Sequence, residues 1–441
     1  MVCALSALLH SLLLFGYGAA VDVDPSSKES LKRAASTIAA ELRSSYHGDE
    51  PGQIPGLFPY PTYWWLAGAA TNAWIDYRNY TGDTTYDEIV TQAIFHQIGP
   101  NRDFLPPNQT LAEGNDDQGF WALAAMSAAE RNFPDLPAGQ PQWLALAQGA
   151  LHGQMERWDD ENCGGGLRWQ IFAFNHGYTY KNSISNGIFF QLNARLARYT
   201  KNDTYAQWAE KTFQWMRKIQ FMDDTLNIYD GGNLPACAFV KNSTILWSYN
   251  NAMLLGGAAF MYDYYNKSPV WLEIIKGLLS KAISSFFYQE AIVNEPACEP
   301  YNTCNDDQIS FKGYLSRNLG YTAQLVPELS ARIFSVLRTS AVAAGKACTG
   351  GSGTTCGMNW TLGKFDGHSG VGGTIAALET ITSCLAKDAS LPSAMNTGAT
   401  SIGDVNAGRT SSSGHKTKID PATQNDKVAA AALTLGICVS A

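Results

Sequence analysis

The sequence predicts an all-α protein, a closed (α/α)6 barrel of alternating inner and outer helices. Three observations predict it. Apolar residues recur with the helical period in about a dozen segments between residues 22 and 385, and convincing strands are few. The segments alternate in character, one kind apolar nearly all round and rich in Gly and Ala, the other amphipathic with a charged face. A helix apolar on every side must be buried, and an amphipathic one covers it. An open stack of helix pairs would instead show a strict repeat length and polar end caps, and neither is visible.

In chain order the helical segments begin with residues 27–46, 63–81 and 83–98. Residues 116–133 follow, and their core "GFWALAAM" is the most completely apolar stretch, so it belongs inside the ring. Residues 140–158 come next. Residues 183–200 carry "SNGIFFQLNA", again an inner helix, and residues 203–220 carry "AQWAEKTFQWMRK", an outer one. The same alternation recurs in residues 247–265, with "NNAMLLGGAAFMY" inside, and residues 268–287, with "LEIIKGLLSK" outside. Residues 307–323, 327–345 and 370–386 complete the series.

Inner helices of such a ring bring their N-terminal ends and preceding loops to one mouth. There the sequence concentrates aromatic and polar residues, in "PGLFPYPTYWW", "LAEGNDDQ", "CGGGLRWQIFAFNHGYTYKNSISN", "STILWSYNN" and "CNDDQISFKGY". Rings beside Asn, Asp, Arg and Gln suit sugars, whose C–H faces stack while their hydroxyls seek polar partners. The expected sugar contacts are Tyr63, Trp64, Trp65, Trp121, Arg168, Trp169, Asn186, Trp247 and Asn250, with Asp306, Asp307 and Lys312 around a second acidic pair. At least three of the six aromatic residues are expected to line the cleft; the alternative for each is a place in the core.

Adjacent aspartates occur four times, at 116–117, 159–160, 223–224 and 306–307. A helix start alone explains "GNDDQ": Asn115 caps, Gln118 reaches back, and acids in the first turn suit the helix dipole. "CNDDQ" fits the same account. Context separates the pairs. Asp159-Asp160 and Asp223-Asp224 follow helices, which suits loop roles. Asp116 and Asp117 lead into the most apolar inner helix, where burial raises carboxyl pKa values and unlike surroundings split them. A nucleophile that stays ionised and an acid that stays protonated require that split. Consecutive α-carbons lie about 3.8 Å apart, so the two carboxyls lie close together. Retaining glycosidases need a separation of roughly 5–5.5 Å and inverting ones more. No GxSxG, HExxH, P-loop or GxGxxG motif offers a competing chemistry, and no metal or cofactor is expected.

Together, "PGLFPYPTYWW", "EGNDDQGFWALAAMSAAERNFP", "CGGGLRWQIFAFNHGYTYKNSISNG", "LARYTKNDTYAQWA", "WSYNNAMLLGGAAFMY" and "DDQISFKGYLSR" resemble glycoside hydrolase family 76, the endo-α-1,6-mannanases, in the form of their fungal GPI-anchored members. The resemblance implies an (α/α)6 barrel and a retaining reaction with Asp116 as nucleophile and Asp117 as general acid/base. It also implies action on α-mannan or the mannan core of GPI anchors, with cell-wall glucan as a possible acceptor for transfer. Leu66 stands where the family pattern carries an acid, which leaves open a carbohydrate-binding wall protein of weak catalysis. An inverting glycosidase pairing Asp117 with Asp307 is the other alternative.

The chain's ends point to the secretory pathway and the cell surface. Residues 1–20 read as a signal peptide with Gly18 and Ala20 before the cleavage point. The enzyme domain is expected at 21–387. A Ser/Thr/Gly-rich disordered stalk follows at 388–414, with GPI attachment between Asn406 and Gly414, and a removed signal occupies 415–441. The membrane is met only through that anchor. Asn79, Asn108, Asn202, Asn242 and Asn359 open N-glycosylation sequons. Close spacing pairs Cys298 with Cys304 and Cys348 with Cys356, while Cys163, Cys237 and Cys384 stay unassigned. A net charge of −8 without a basic cluster argues against nucleic acid, and a monomer is expected.

Overall fold

The computed structural model describes residues 21–136, 139–239 and 245–409. Within them twelve α-helices form two concentric rings, the (α/α)6 barrel expected from the sequence. The inner ring is α2 (Trp64–Thr81), α4 (Asn115–Glu130), α6 (Ser183–Thr200), α8 (Ser248–Tyr264), α10 (Phe311–Leu325) and α12 (Val371–Ser383). Each packs on the next, and α12 closes the ring against α2. The outer ring is α1 (Lys28–Ser44), α3 (Asp87–Gln97), α5 (Trp143–Glu156), α7 (Asp203–Lys218), α9 (Pro269–Phe286) and α11 (Ser330–Ala347).

The burial pattern follows the periodicities. Leu31, Ala34, Ala35, Ile38, Ala39 and Leu42 form the single buried stripe of α1, whereas on α4 every residue but Asp117 is buried. Small residues bring inner helices together: a β-carbon at Gly313 would lie 2.7 Å from the Ala376 α-carbon, so α10 and α12 touch nearly backbone to backbone. Side chains of Ser27, Asn182, Asn202 and Ser268 cap α1, α6, α7 and α9.

Polar residues that stripe the inner helices meet inside the barrel. Arg195 pairs with Glu130 at 2.7 Å, Arg317 with Glu379 and, at 3.3 Å, with Asp76. Trp65, Phe120 and Tyr314 pack as tilted rings inside the barrel, with centroids 4.5 and 5.1 Å apart, and Trp65 and Phe120 line the mouth cavity.

α5 departs from the alternation, being an outer helix buried on most sides. Its cover is the segment expected to be the start of a disordered stalk. Ser401 Oγ accepts the Leu144 N–H (2.9 Å), Gln148 Oε1 accepts the Asp404 N–H (2.7 Å), and the Ala407 carbonyl lies 3.0 Å from His152 Nδ1. Arg198 donates to the Pro392 carbonyl and Tyr199 to the Ser401 carbonyl, at 2.8 and 2.9 Å. The boundary at 387 is therefore corrected: the folded unit runs to Gly408. Barrel side chains satisfy this strap's backbone groups, so it needs few large apolar residues of its own to stay docked. The expected signal peptide, Cys3, Asn242, Cys438 and residues 410–441 lie outside the described residues.

Disulfides join Cys298 to Cys304 and Cys348 to Cys356, as expected. A third joins Cys163 to Cys237 across 74 residues, too far apart for spacing to reveal, and Cys384 is left free and buried. Asn108 and Asn202 are exposed and Asn359 partly so. Asn79 sits within α2, partly buried and with its Nδ2 shielded from solvent.

Candidate active site

The starts of five inner helices converge on one cavity of about 200 Å³. Trp65 comes from α2, Asp116, Asp117 and Phe120 from α4, and Tyr249 and Phe311 from α8 and α10. Loops ahead of the inner helices add Trp169, Tyr180, Asn182, Asp230 and Asp307. A small antiparallel sheet of β1 (Tyr180–Asn182), β2 (Gly231–Asn233) and β3 (Ala238–Phe239) shapes one wall; pairing of Asn182 with Gly231 sets Asp230 beside Asn182.

The first turn of α4 differs from the expected cap. Gly114 precedes the helix, and its N–H donates to Asp117 Oδ2 at 2.6 Å, so Asp117 rather than Gln118 reaches back. Gln118 instead donates to the Asp103 carbonyl at 2.7 Å. Asn115 is a rivet rather than a cap. Its N–H and Nδ2 donate to the carbonyls of Trp169 and Arg168, and its Oδ1 accepts from Arg157 Nε, all within 2.8–2.9 Å. Position 114 has no room for a side chain: a β-carbon would collide with Asp116 Oδ1 and lie 2.7 Å from Asp117 Oδ2. Those two oxygens thus lie no more than about 5 Å apart, closer than an inverting pair needs.

The two carboxyls have unequal surroundings. Asp116 is 7 % exposed; its Oδ2 accepts from Asn182 Nδ2 and its Oδ1 from the Asp117 N–H, both at 3.0 Å. Asp117 is more open to the cavity and accepts the one Gly114 N–H. Burial raises both. The bonds from Asn182 and the backbone oppose it at Asp116, whereas at Asp117 the neighbouring Asp116 charge adds to it. The pair titrates as a coupled unit, and the hydrogen bonds to Asp116 favour its charged form over that of Asp117.

Facing them, Asp307 Oδ1 accepts from Trp65 Nε1 at 3.1 Å, and burial pushes its pKa up to about 6. Burial also raises Asp230, against a 2.6 Å hydrogen bond from the Tyr180 hydroxyl. Tyr249 stacks flat on Phe311, centroids 3.7 Å apart.

Of the expected contacts, the cavity gathers Trp65, Trp169 and Asp307. Two of the six aromatic residues line it, fewer than the three expected. Trp121 is fully buried against Trp64 and Phe104. Trp64 donates to Gln97 Oε1 on α3 at 2.9 Å, and Tyr63 is exposed outside the cavity. Trp247 packs edge-on against Phe311. Arg168 pairs with Asp159 at 2.9 Å, and Asn186 is sealed on the Leu167 backbone. Asn250 is buried and Asp306 lies outside the lining. Lys312 faces away entirely, paired with Glu299 at 2.7 Å over Trp360. As expected of loop residues, Asp159 pairs with Arg168, and the Asp223 carboxylate accepts from Thr225, Asn227 and Tyr229. Phe120, Tyr180, Asn182, Asp230, Tyr249 and Phe311 went unrecognised. Asn182 had a signal, as the polar residue immediately before an inner helix; Asp230 had none, because strand pairing alone brings it in. Among the described residues no cluster of three His, Cys, Asp or Glu is placed to hold a metal ion.

A double ring of helices with two adjacent, unequally held carboxyls among aromatic walls at its mouth is the build of a glycoside hydrolase. The chain belongs to glycosyl hydrolase family 76, whose model matches residues 30–396. It is similar to the mannan endo-1,6-alpha-mannosidase DCW1 of Saccharomyces cerevisiae, at 44 % identity over 404 residues, 91 % of this chain and 89 % of that one. DFG5 of the same yeast, also a mannan endo-1,6-alpha-mannosidase, is 42 % identical over 92 % of this chain and 89 % of its own. Among solved structures, Dfg5 from Chaetomium thermophilum in complex with glucosamine superposes with a TM-score of 0.83 at 43 % identity, covering 88 % of this chain and 97 % of that one. The GH76A α-1,6-mannanase from Salegentibacter sp. HEL1_6 shares the fold, with a TM-score of 0.65 at 16 % identity over 80 % and 98 % of the two chains.

Proposed function

We propose that the protein is a retaining endo-α-1,6-mannosidase of the cell wall, with Asp116 as nucleophile and Asp117 as general acid/base. The observation that carries this is the unequal holding of two adjacent carboxyls at the buried start of α4. Asp117 gives its proton to the glycosidic oxygen while Asp116 attacks the anomeric carbon, so the leaving glycan departs neutral and a glycosyl ester forms on Asp116. Asp117, now a carboxylate, takes the proton of an incoming hydroxyl, which displaces Asp116 and restores the starting state. Water as that hydroxyl gives hydrolysis, and a glycan hydroxyl gives transfer. The names of the fungal relatives support mannan as substrate. The GPI-anchor glycan as donor, wall glucan as acceptor, GPI anchorage at the cell surface and a monomeric state are proposed from the sequence.

The test incubates the protein with α-1,6-mannan oligosaccharides, with and without a glucan acceptor, and reads the first-released anomer by NMR. Retained configuration is expected, and Asp116→Ala and Asp117→Ala should each lose turnover while staying folded. An inverted first product, which would favour Asp117 acting with Asp307, refutes the reading. So does normal turnover in either variant.

A further inference from the structure

Behind the catalytic turn lies a second cavity, of about 260 Å³, that the reaction does not use. Segment 168–170 separates the two: Trp169 lines the mouth cavity, while its neighbours Arg168 and Gln170 line this one. Pairing of Gln170 with Gly114 fixes that segment to the start of α4, where Asn115 lines this cavity and Asp116 the mouth. The two chambers have opposite character. Four aspartates and no basic side chain line the mouth, whereas Arg157, Arg168 and a single carboxylate, Asp159, line the second.

The hydrogen bonds already made show what the second cavity lacks. Its side-chain acceptors are spent. Asn115 Oδ1 accepts from Arg157 Nε at 2.9 Å, and Gln170 Oε1 from Asn175 Nδ2 at 3.0 Å. Asp159 is shared between Arg168 at 2.9 Å and Lys181 at 3.4 Å. Its donors are not spent. Arg157 bonds Asn115 and Gln118 through Nε and Nη2, and among the described residues its Nη1 has no partner and its guanidinium no ion pair. Gln170, 7 % exposed, leaves its Nε2 unused. Tyr178, whose ring centroid lies 4.4 Å from the Arg168 guanidinium, leaves its hydroxyl unused. Of the acids around Arg157, Glu156 is exposed, and burial pushes Asp103 and Glu113 up to about 6 and about 8, so Glu113 is uncharged at neutral pH. Burial lowers Arg157 itself only to about 10, which leaves it charged. A guanidinium withdrawn from water calls for an anionic partner.

We propose that this second cavity is an oxyanion site that takes a phosphate group on Arg157 Nη1, Gln170 Nε2 and the Tyr178 hydroxyl. Phosphate oxygens accept, and donors are what the wall has left over; a guanidinium is the group best matched to them. The cavity is several times the ~30 Å³ share of one water, which leaves room for a tetrahedral anion. Inorganic phosphate and the phosphate of a phosphorylated glycan share this chemistry. The site stands independently of the roles given to Asp116 and Asp117.

The experiment titrates the full chain with sodium phosphate and with mannose 6-phosphate at fixed ionic strength, by calorimetry and by melting temperature, with mannose as the neutral control. Saturable binding of a phosphate probe at one site is expected, with a rise in melting temperature, since the ligand binds the folded state. Gln170→Glu keeps the acceptor for Asn175 and puts a negative charge where a donor stood, so binding should weaken by about tenfold or more. Should that variant not fold, Tyr178→Phe keeps the ring beside Arg168, removes only the donor, and should also weaken binding about tenfold. Equal affinity for the two phosphate probes identifies the free ion as ligand, and tighter mannose 6-phosphate identifies a phosphorylated glycan. No saturable binding of either probe overturns the proposal. So does binding that is equally strong in the wild type and in the folded variants, which would place the anion elsewhere.

Discussion

Replacing Asn182 by serine separates two roles that one side chain performs. Asn182 Oδ1 caps α6 by accepting the Ser185 N–H at 3.2 Å, while Nδ2 donates to Asp116 Oδ2 at 3.0 Å. Serine is a good cap and keeps the first role, but it is too short for the second. A hydrogen bond to a charged group contributes about 1.5–3 kcal/mol, and 1.36 kcal/mol corresponds to one pKa unit. Asp116, already raised by burial, should therefore rise by about 1–2 further units in Asn182→Ser. It must be ionised to attack, so the acid limb of kcat/KM moves to higher pH by that amount while the alkaline limb stays. Asn182→Ala shows the same limb and melts lower as well, because losing the cap costs about 1 kcal/mol more. The assay is kcat/KM on an α-1,6-mannooligosaccharide from pH 4 to 9, beside thermal melts. An acid limb that does not move in Asn182→Ser refutes the reasoning.

Trp121→Ala should cost about 3–5 kcal/mol of stability as a core cavity and leave KM alone, whereas Trp65→Phe should melt near the wild type and bind substrate about tenfold less well, having lost its bond to Asp307. Both are read from melts and KM, and the opposite pattern would relocate the cleft. Lys312→Met leaves Glu299 buried without its partner and should destabilise by about 3–5 kcal/mol in urea titrations; a raised KM with normal stability would instead return Lys312 to the sugar. Ending the chain after Asp388 uncovers α5 and should lower the melting temperature by several degrees, whereas ending it after Arg409 should not. Equal melting of the two would show that the strap is not docked.

The ring order was legible because it depends on period and composition: "GFWALAAM" has no polar face to turn outward, so α4 could only be an inner helix. The strap was not, because composition reports a segment's own apolar surface and says nothing of side chains elsewhere, such as Arg198 and Tyr199, that bond its backbone. The acid pair could be read from a helix start leading into a buried face. Its surroundings could not. Asn182 lies 66 residues from Asp116 along the chain, and Asp230 depends on strand pairing for its place. Tryptophans misled for a related reason: beside a mouth, a large ring fits the wall and the packing beneath it equally well. Trp64 and Trp65 are sequence neighbours, yet one bonds to α3 and the other to Asp307.

The repeated "NDDQ" is the sharper case, since four identical residues take up two different starts. At 305–308 the expected reciprocal cap is present: Asn305 Oδ1 accepts the Gln308 N–H at 2.9 Å, and Gln308 Oε1 accepts the Asn305 N–H at 3.0 Å. That arrangement leaves both aspartates free of capping duty, and Asp307 turns into the cavity. At 115–118 the start has slipped one residue earlier, to Gly114, because a glycine there allows the backbone to approach the carboxylates and the Trp169 carbonyl closely. Asn115 and Gln118 are then released to rivet the turn to Arg168, Arg157 and Asp103. Asp117 becomes the capping acid, and Asp116 is pressed inward against Asn182. The residue before the motif, glycine in one copy and cysteine in the other, thus separates a pair held in unlike surroundings from a pair with a single cavity-facing member. A Gly114→Ala substitution should push the start toward the second pattern, removing turnover even though no carboxylate has been changed.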